Sequence, residues 1–412
     1  MVEIANAAQA AARREAGFTS ARSLQNGQAA TRIPAKLAPI ETVAVDRWRL
    51  LSANAIEPNG YYSAEWELAV NAFADGRGNV SALTADGDPR GSETTRLIGL
   101  IPVVSAWRAY RIPVPALVSA DPYSTLATPL IDRDMAHSAV ARLLAQARDA
   151  GAHALILRDL PLDGMVMAAL TRVLALSGLR PVLLQGHARA CLDATRDADE
   201  LLRDALGPKK LKELRRQRNR LADHGEVLFS VAITPDEIER GLDVFLRLEA
   251  SGWKARRGTA LAQSEGDTAF IRHAVRAATA RGQCEIITLQ AGETPVAAAI
   301  VLRHQDRAFY FKIGVDENFA KLSPGVQLTL ELTRRMCSDP AIAMVDSTAV
   351  PDHPMIDPIW RGRLAIGDVL IPLSRRDPMV AVIRLALALR RFIREPARRI
   401  VHAIRKFRET RR

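Results

Sequence analysis

A short glycine-flanked segment carries two residues whose types suggest binding. In "SGWKARRGTAL" (251–261), Trp253 and Lys254 directly follow a predicted amphipathic helix, and two arginines come next. An aromatic ring that only fills a core usually lies inside a periodic element, whereas this one lies between glycines, where the chain turns easily. We therefore predict that Trp253 stacks on or walls off a substrate and that Lys254 holds a carboxylate, phosphate or sugar oxygen. The alternative is that Trp253 caps the adjacent helix pair.

A helix start in "KLSPGVQL" (321–328) is the second candidate. Ser323 is predicted to cap the helix and Pro324 to occupy its first turn, while Gly325 lets backbone approach a ligand. The first N–H groups of a helix lack partners within it and lie at the positive end of its dipole, so they suit an anion. The alternative is a well-capped helix that binds nothing.

The elements that position these segments follow a clear order in the second half of the chain. Hydrophobic spacing predicts a strand, two helices, three strands, a helix and a strand, over 226–233, 236–250, 266–280, 284–290, 295–303, 307–315, 326–337 and 341–348. The links between the three middle strands are short enough for antiparallel hairpins.

The first half also alternates helices and strands. A helix opens at Ser63 with acidic residues in its first turn. Further strands and helices are predicted over 80–86, 95–104, 133–149, 154–160, 163–177 and 181–186. The whole pattern predicts a mixed α/β fold, with sheet and helices layered together.

The composition of the chain limits the classes of protein to which it can belong. The chain has 412 residues, 48% of them hydrophobic and 25% charged, which is ordinary for a globular protein of two or three domains. Three scattered cysteines argue against a disulfide framework or a zinc site, so we expect no metal and a reducing, cytosolic setting. There is no apolar run of about 18 residues that could span a membrane, and residues 1–40 are predicted to be a disordered leader.

The positive charge is concentrated at one end. Of the net charge of +11, residues 375–412 carry +10, from 13 Lys and Arg against three acids, which leaves +1 for residues 1–374. A general nucleic-acid binder should instead carry its basic residues on a folded face. Within 379–412 apolar residues recur at helical spacing among the arginines, which predicts a helix lying on an anionic membrane surface. A helix that docks on a partner protein is the alternative.

A second basic segment lies between the halves. Residues 209–220 contain seven Lys and Arg and one acid, Glu213, on a predicted helix after Gly207-Pro208. Such a helix can face phosphate or RNA. The favoured interpretation is a solvated connecting helix with its leucines packed inward.

The order of elements, together with "LEASGWKARRGTAL", "AFYFKIGVDENFAKLSPGVQL" and "MVDST", resembles the GNAT superfamily of acyltransferases. More narrowly, the chain resembles the acyltransferase family associated with bacterial cellulose and exopolysaccharide synthesis, which is related to the Fem-type aminoacyltransferases and carries two tandem GNAT-like domains. The first half adds "YYSAEWELAV" and "ATPLID" (127–132). The resemblance covers about 45–375 and implies two tandem GNAT-like domains with mixed sheets flanked by helices.

The resemblance implies that acyl-CoA is the donor and that the 321–328 segment cradles its pyrophosphate. The residues expected to bind it are Lys321, Ser323, Gly325, Val326 and Gln327. The usual superfamily loop reads R/Q-x-x-G-x-G/A, whereas this segment has one glycine and a proline. Acyl carrier protein and aminoacyl-tRNA therefore remain alternative donors.

Acyl transfer to an amine also needs a base, an oxyanion donor and a proton source for the thiolate. Strand alternation in "AFYFK" predicts that Tyr310 and Lys312 share one face. Tyr310 is predicted to protonate the leaving sulfur, or alternatively to fill the core with a bonded hydroxyl. Asp346 is predicted to act as acid or base or to orient the acceptor.

Three more side chains complete the predicted site. Glu249, at a helix end, is a candidate base acting through water, with a solvated carboxylate as the alternative. Lys312 and His353 are predicted to contact substrate; the alternative for His353, which lies in a proline-rich loop, is a structural role.

The implied function is transfer of an acyl group to an amine, or less favourably a hydroxyl, of a sugar or lipid-linked precursor of an extracellular polysaccharide. We expect this reaction on the inner face of the cell membrane, with polysaccharide-synthesis proteins as candidate partners. A Fem-type aminoacyltransferase that uses charged tRNA and a non-catalytic scaffold are the alternatives. The predicted domains are the leader 1–40, GNAT-like domains 41–205 and 206–375, and the basic tail 376–412.

Overall fold

Helices cover both faces of one large sheet. The computed structural model describes residues 36–87, 95–252 and 258–409, with side chains described up to Ile393. The helices are α1 (Val45–Ala53), α2 (Ala64–Phe73), α3 (Ala106–Tyr110), α4 (Ala136–Asp149), α5 (Met165–Leu176), α6 (Ala198–Ala222), α7 (Pro235–Ser251), α8 (Glu265–Thr279), α9 (Pro324–Cys337) and α10 (Pro378–Glu409).

The sheet contains strands from both halves of the chain. They are β1 (Ala38–Pro39), β2 (Ser81–Asp86), β3 (Leu97–Ser105), β4 (Ala116–Ser119), β5 (Leu130–Ile131), β6 (Ala154–Pro161), β7 (Val182–Asp193), β8 (Val227–Ala232), β9 (Cys284–Ala291), β10 (Thr294–His304), β11 (Arg307–Val315), β12 (Met344–Asp346) and β13 (Gly362–Pro372). Their order is β1-β2-β3-β4-β6-β13-β7-β12-β11-β10-β9-β8, with β5 beside β3.

The same plan occurs at both ends of this order. From each outer edge, antiparallel pairings lead to one parallel pair, which is β4 with β6 in the first half and β11 with β12 in the second. The predicted meander of β9, β10 and β11 is confirmed as antiparallel.

The two halves meet at a shared central pair. β13, which comes from the end of the chain, lies between β6 and β7, while β7 pairs with β12 of the second half. The hydrogen-bonded sheet is therefore continuous across the predicted boundary at 205/206, and the domain limits stay a prediction.

Hydrophobic residues fill both faces of the sheet. In the second half, α6 and α9 cover one face, where Tyr310, Leu328 and Trp360 belong to a single buried cluster. The opposite face is covered by α7, α8 and α2, with Trp66, Phe245 and Phe309 in its core. Aromatic side chains of the first half thus complete the core of the second.

The basic tail begins as a helix that packs on the first half. Ile383 and Leu387 of α10 are buried with Val118, Ile156 and Leu370, which anchors its first turns. In the described part of the chain, none of the helices combines the length and apolar character that crossing a membrane requires.

Candidate functional site

The parallel strands β11 and β12 part at their carboxyl ends. Their pairing ends at Phe309 opposite Asp346. Beyond that point the Thr348 hydroxyl, instead of a backbone amide, donates to the Tyr310 carbonyl, at 2.7 Å. Thr348 has a φ of +47°, a strained conformation for a β-branched residue. We call the gap between Tyr310–Lys312 and Ser347–Thr348 the β11/β12 opening.

A β-bulge in β11 shapes one side of the opening. Ile300 pairs with Lys312 and Val301 pairs with Tyr310, so Phe311 has no counterpart on β10. The extra residue reverses the alternation of side chains. Tyr310 packs on the α9 side, while Phe311 packs on the α7 side, as does Lys312. The prediction that Tyr310 and Lys312 share a face is therefore wrong.

The bulge brings Lys312 to Glu249 at the end of α7. The ammonium nitrogen lies 3.3 Å from Glu249 Oε1, and Oε2 accepts from the backbone N–H of Leu261 at 3.0 Å. Glu249 is only 2% exposed, so the alternative of a solvated carboxylate is wrong. A buried charge needs such a partner to be tolerated.

Aromatic rings of the first half border this ion pair. Lys312 Nζ lies 5.4 Å from the centroid of the Tyr123 ring, and Arg77 lies 4.1 Å from the same ring. The Tyr123 hydroxyl donates to Asp267 at 2.6 Å. Burial and this carboxylate raise the pKa of Tyr123, so the phenol stays protonated.

Tyr61 is a site candidate that the spacing of residues did not single out. Its ring contacts Phe309 and Phe311, with centroids 5.4 and 6.0 Å away. Its hydroxyl is fully buried and has no hydrogen-bond partner among the described residues. Burial raises the pKa of Tyr61, while the Thr348 and Ser124 hydroxyls oppose the shift. A protonated phenol near the Thr348 and Ser124 hydroxyls can donate a hydrogen bond at the opening.

Asp346 is held in a buried ion pair. Asp346 and Arg189 are both fully buried, with the guanidinium 2.5 Å from Oδ2. Oδ1 accepts from the backbone N–H of Thr348, and Arg189 also reaches the Thr125 hydroxyl. Asp346 therefore fixes the turn after β12, and this placement supports a positioning role over the predicted acid–base role.

Tyr310 and His353 also have structural partners. The Tyr310 hydroxyl lies 3.3 Å from Thr329 Oγ1 inside the core, and burial raises the pKa of this phenol. This matches the alternative role of a core tyrosine with a bonded hydroxyl. His353 Nδ1 accepts from the backbone N–H groups of Met355 and Ile356, at 3.3 and 3.4 Å, so it orders its own turn.

The 321–328 segment forms the start of α9, but not with the predicted cap. Ser323 has a φ of +54° and its side chain makes no capping hydrogen bond, so that prediction is wrong. Gly325 is packed so closely that a Cβ would lie 3.0 Å from Met355 Sδ. Gln327 donates to the Leu214 carbonyl at 2.9 Å and is buried, and Val326 is half-buried.

The start of α9 offers a ligand its first-turn backbone N–H groups and one cation, the Lys321 ammonium. The first-turn N–H groups of Gly325 and Val326 have no acceptor within the helix, and Lys321 is exposed beside them. The exposed basic residues of α6 lie on the neighbouring helix, which Gln327 ties to α9. The segment therefore suits an anion through its amides and charge.

Trp253 and Lys254 lie outside the described residues, so their predicted roles stay predictions. The two ends of their loop are described. A Cβ on Gly252 would lie 3.1 Å from Glu317 Oε1, beside the turn before α9. At the other end, Leu261 donates to Glu249. The loop thus begins and ends next to elements of the β11/β12 opening. No cluster of three or more potential metal ligands occurs in the described part.

An antiparallel meander that leads into a parallel pair, with the pair parting beside a helix N-terminus, defines a GNAT-like fold, and the two halves present it in tandem. Residues 208–352 match the family described as an acetyltransferase (GNAT) domain. This segment is therefore similar to a GNAT-type acetyltransferase domain.

Solved structures share this architecture at low sequence identity. FemX aligns with a TM-score of 0.52 at 10% identity, covering 83% of this chain and 98% of that one. A conserved protein of unknown function from Bacteroides thetaiotaomicron aligns with a TM-score of 0.50 at 13% identity, covering 81% and 98%. A tandem GNAT protein from the clavulanic acid biosynthesis pathway has a TM-score of 0.40 at 16% identity, covering 83% and 99%. No curated protein matches the sequence. At these identities, the first two likenesses concern the fold alone.

Proposed function

We propose that the chain transfers an acyl group from acyl-CoA to an amine at the β11/β12 opening. The observation that carries this proposal is the buried Glu249–Lys312 pair beside the β11 bulge, within the segment that matches a GNAT domain. A buried, paired carboxylate at the edge of a gap between strands is a common arrangement for proton transfer.

The described residues fit an acyl-CoA donor. Its pyrophosphate would lie against the first-turn amides of α9 and the Lys321 ammonium, both suited to an anion. Its thioester would lie along β11 beyond Phe309, where pairing with β12 has ended. Backbone N–H groups near a bulge can polarise a carbonyl oxygen, because the regular ladder is interrupted there.

The reaction forms a C–N bond and breaks a C–S bond. The acceptor nitrogen attacks the thioester carbon, and its proton passes to Glu249, directly or through one water. Lys312 holds the Glu249 carboxylate in position through their ion pair. Tyr61 supplies a neutral hydroxyl that can donate to the oxyanion or to the departing thiolate. Glu249 therefore takes up the proton that the attacking amine loses.

The test is release of free thiol from acetyl-CoA and longer acyl-CoAs, with sugars bearing amine or hydroxyl groups as acceptors. Glu249→Gln keeps the shape of the side chain and should lower kcat by about 10²-fold or more, because the base is lost. Glu293→Gln makes the same chemical change at an exposed turn and should leave kcat unchanged. Equal kcat in both variants, with intact thermal unfolding, would remove Glu249 from the reaction.

The acceptor is proposed to be a sugar or lipid-linked precursor of an extracellular polysaccharide, with an amine preferred to a hydroxyl. Support comes from the sequence resemblance and from the basic, amphipathic tail, which favours work at an anionic membrane surface on the cytoplasmic side. Polysaccharide-synthesis proteins are the proposed partners. An acceptor screen in which only soluble, unrelated amines react would contradict this assignment.

Aminoacyl transfer from charged tRNA is the second candidate. It is favoured by α6, on which Lys209, Lys212 and Arg216 are exposed beside α9; only Lys210 and Arg218 pair with acids among its described ion pairs. Filter binding separates the candidates: tight tRNA binding that is lost in Lys212→Glu and Arg216→Glu would support this donor. Binding of neither tRNA nor acyl-CoA would favour the non-catalytic scaffold.

A further inference from the structure

The tail helix α10 encloses two adjoining cavities against the first half of the sheet. One, of about 410 Å³, is polar and the other, of about 610 Å³, is apolar. Both are lined by Leu184, Leu387 and Arg391. The two cavities therefore adjoin at these side chains, and we call them together the tail-helix cleft. It lies outside the β11/β12 opening.

The polar part of the cleft contains a buried cation with an unmet hydrogen bond. Nε of Arg158 is buried and has no hydrogen-bond partner in the described part of the chain. Arg390 lies on the opposite wall, with its guanidinium 4.7 Å from the centre of the Tyr110 ring. Burial of a guanidinium costs free energy unless an anion or a hydrogen-bond acceptor lies beside it.

The acids in the polar part offset the charge of these arginines only in part, although Asp121 and Asp159 both lie near Arg158. Asp368 accepts from Gln185 at 2.6 Å and from the backbone N–H of Asp159 at 3.0 Å, so both its oxygens have donors. Burial and the nearby Asp368 raise the pKa of Asp159 to about 6. Arg158, Arg390 and Arg391 thus outnumber the carboxylates of this pocket.

The apolar part presents large side chains to solvent. Leu183, Leu385 and Phe392 are 56%, 71% and 75% exposed, and all three line the cavity together with Arg384. Ile383 and Leu387, which are buried with Val118 and Leu370, hold the helix in place. A groove with this much exposed hydrophobic surface, adjoining a cationic pocket, is typical of a binding site and not of an ordinary surface.

We propose that the tail-helix cleft binds a phosphate-headed amphiphile, with the phosphate on Arg158 and the acyl chain along Leu183, Leu385 and Phe392. The planar guanidinium matches phosphate geometry with two parallel hydrogen bonds. The chain gains by leaving water for the apolar groove. Charge complementarity selects an anionic head group, because the pocket carries excess positive charge.

A flat contact between the helix and a membrane would not satisfy Arg158. The exposed stripe alone could rest among lipid tails, but the buried guanidinium lies in a pocket on the sheet side of α10. A head group that enters the pocket contacts the part of the Arg158 side chain that lines it. The proposal does not depend on acyl transfer at the β11/β12 opening, and either could fail while the other holds.

The experiment is titration calorimetry on the full chain with an octanoyl lysophosphatidic acid, kept below the concentration at which it forms micelles. Octanoyl lysophosphatidylcholine tests the need for an anionic head, and glycerol phosphate tests the need for a chain. We expect the first ligand to bind at least about tenfold more tightly than either control. Equal affinity for all three ligands, or no binding of the first, would overturn the proposal.

Variants locate the site and separate it from general charge attraction. Arg158→Met and Arg391→Met should each weaken binding of the anionic lipid about tenfold or more, and Leu385→Ser should weaken it without affecting glycerol phosphate. Arg172→Met and Leu176→Ser, at exposed positions of α5, are the matched controls. Arg391 and Leu385 lie at the surface, so their variants test the site even if Arg158→Met fails to fold. Equal losses in the α5 controls would show nonspecific attraction and contradict the site.

Discussion

The Glu249–Lys312 pair is the residue-scale feature that distinguishes the candidate site from the surrounding core. Its carboxylate accepts from the backbone N–H of Leu261 and pairs with the Lys312 ammonium, which lies on a different element. Replacing only one partner of such a pair lowers stability strongly, because the remaining charge stays in a poorly solvated place.

Stability measurements should reveal this coupling. Lys312→Met should lower the free energy of unfolding by about 1–3 kcal/mol, since Lys312 is partly exposed and the penalty of leaving Glu249 unpaired is moderated by water. Adding Glu249→Gln should restore part of that loss. Urea unfolding of the two single variants and the double variant measures the coupling, and strictly additive losses would contradict it.

Asp159 offers a pH-dependent test. It lies near Asp368 and Asp121 as well as Arg158 and Arg189, and its pKa of about 6 exceeds the value of about 3.9 for an unfolded aspartate. The folded state thus binds the proton more tightly, so stability falls as pH rises from about 4 through 6. Asp159→Asn removes this titration, and Asn tolerates the φ of +46° at this position.

We therefore expect Asp159→Asn to be more stable than the natural chain by about 1–3 kcal/mol at pH 7.5, an advantage that shrinks at pH 4.5. Denaturant unfolding at the two pH values measures the difference. An advantage of the same size at both pH values would show that the carboxyl does not titrate between them.

Sequence reasoning identified both Glu249 and Lys312, but it could not place them together. The contact depends on the bulge at Phe311, which no local pattern in "AFYFK" indicates, because a bulge is set by pairing with β10. Tyr61 was missed as a site residue for a related reason. Its sequence neighbours predict only a helix start, and its position beside Phe309 and Phe311 results from the meeting of the two halves.

At the scale of elements, β11 and α9 have different roles in the site. Tyr310 lies in the core on one face of β11, whereas Lys312 on the other face pairs with Glu249 of α7, so Tyr310 and Lys312 should respond differently to substitution. Tyr310→Phe should lower stability by about 0.5–1.5 kcal/mol through the lost hydrogen bond to Thr329. Its kcat should stay within about threefold of the natural chain. A kcat loss of about 10²-fold with normal stability would restore Tyr310 as a proton donor.

The start of α9 should recognise the phosphates of the donor and not its thioester. Lys321→Glu places a negative charge beside the first-turn amides and should raise the KM for acetyl-CoA by about tenfold. The KM for acetylpantetheine, which lacks those phosphates, should not change. Steady-state kinetics with the two donors measures the difference, and equal effects on both would place the phosphates elsewhere.

Local elements were predictable where the hydrophobic pattern is strong. The meander of β9, β10 and β11 and the helices α7 and α8 lie close to their predicted limits. β13 was not assigned, although "RLAIGDVLIP" contains strand-forming residues, because it pairs with β6 and β7 about 200 residues earlier in the chain. Pairings of such long range leave no periodicity from which to infer them.

At the scale of the whole molecule, the tail has two parts. Its first part packs on the sheet, and its last part is a basic extension. Truncation after Ser374 would remove Ile383 and Leu387 from the core that they share with Val118 and Leu370. A cut after Ile393 keeps these contacts and still removes a net charge of +6. This shorter truncation is the cleaner test of membrane binding.

Liposome flotation should show that the full chain binds anionic vesicles, less so at high salt, because screening weakens attraction to lipid head groups. The chain ending at Ile393 should float much less while keeping acyl transfer to a soluble acceptor. Equal flotation of both proteins would remove the basic extension from membrane binding. Capture of a polysaccharide-synthesis protein without vesicle binding would favour the docking role instead.

The location of the donor is the central claim, and hydrogen exchange of backbone amides measures it directly. Adding acetyl-CoA should slow exchange in peptides that cover 310–315 and 323–328, at the β11/β12 opening and the start of α9. Exchange in peptides covering 116–121 and 156–160, at the corresponding parallel pair of the first half, should not change. Slowed exchange in the first-half peptides alone, or in none of these peptides despite measurable binding, would contradict the account.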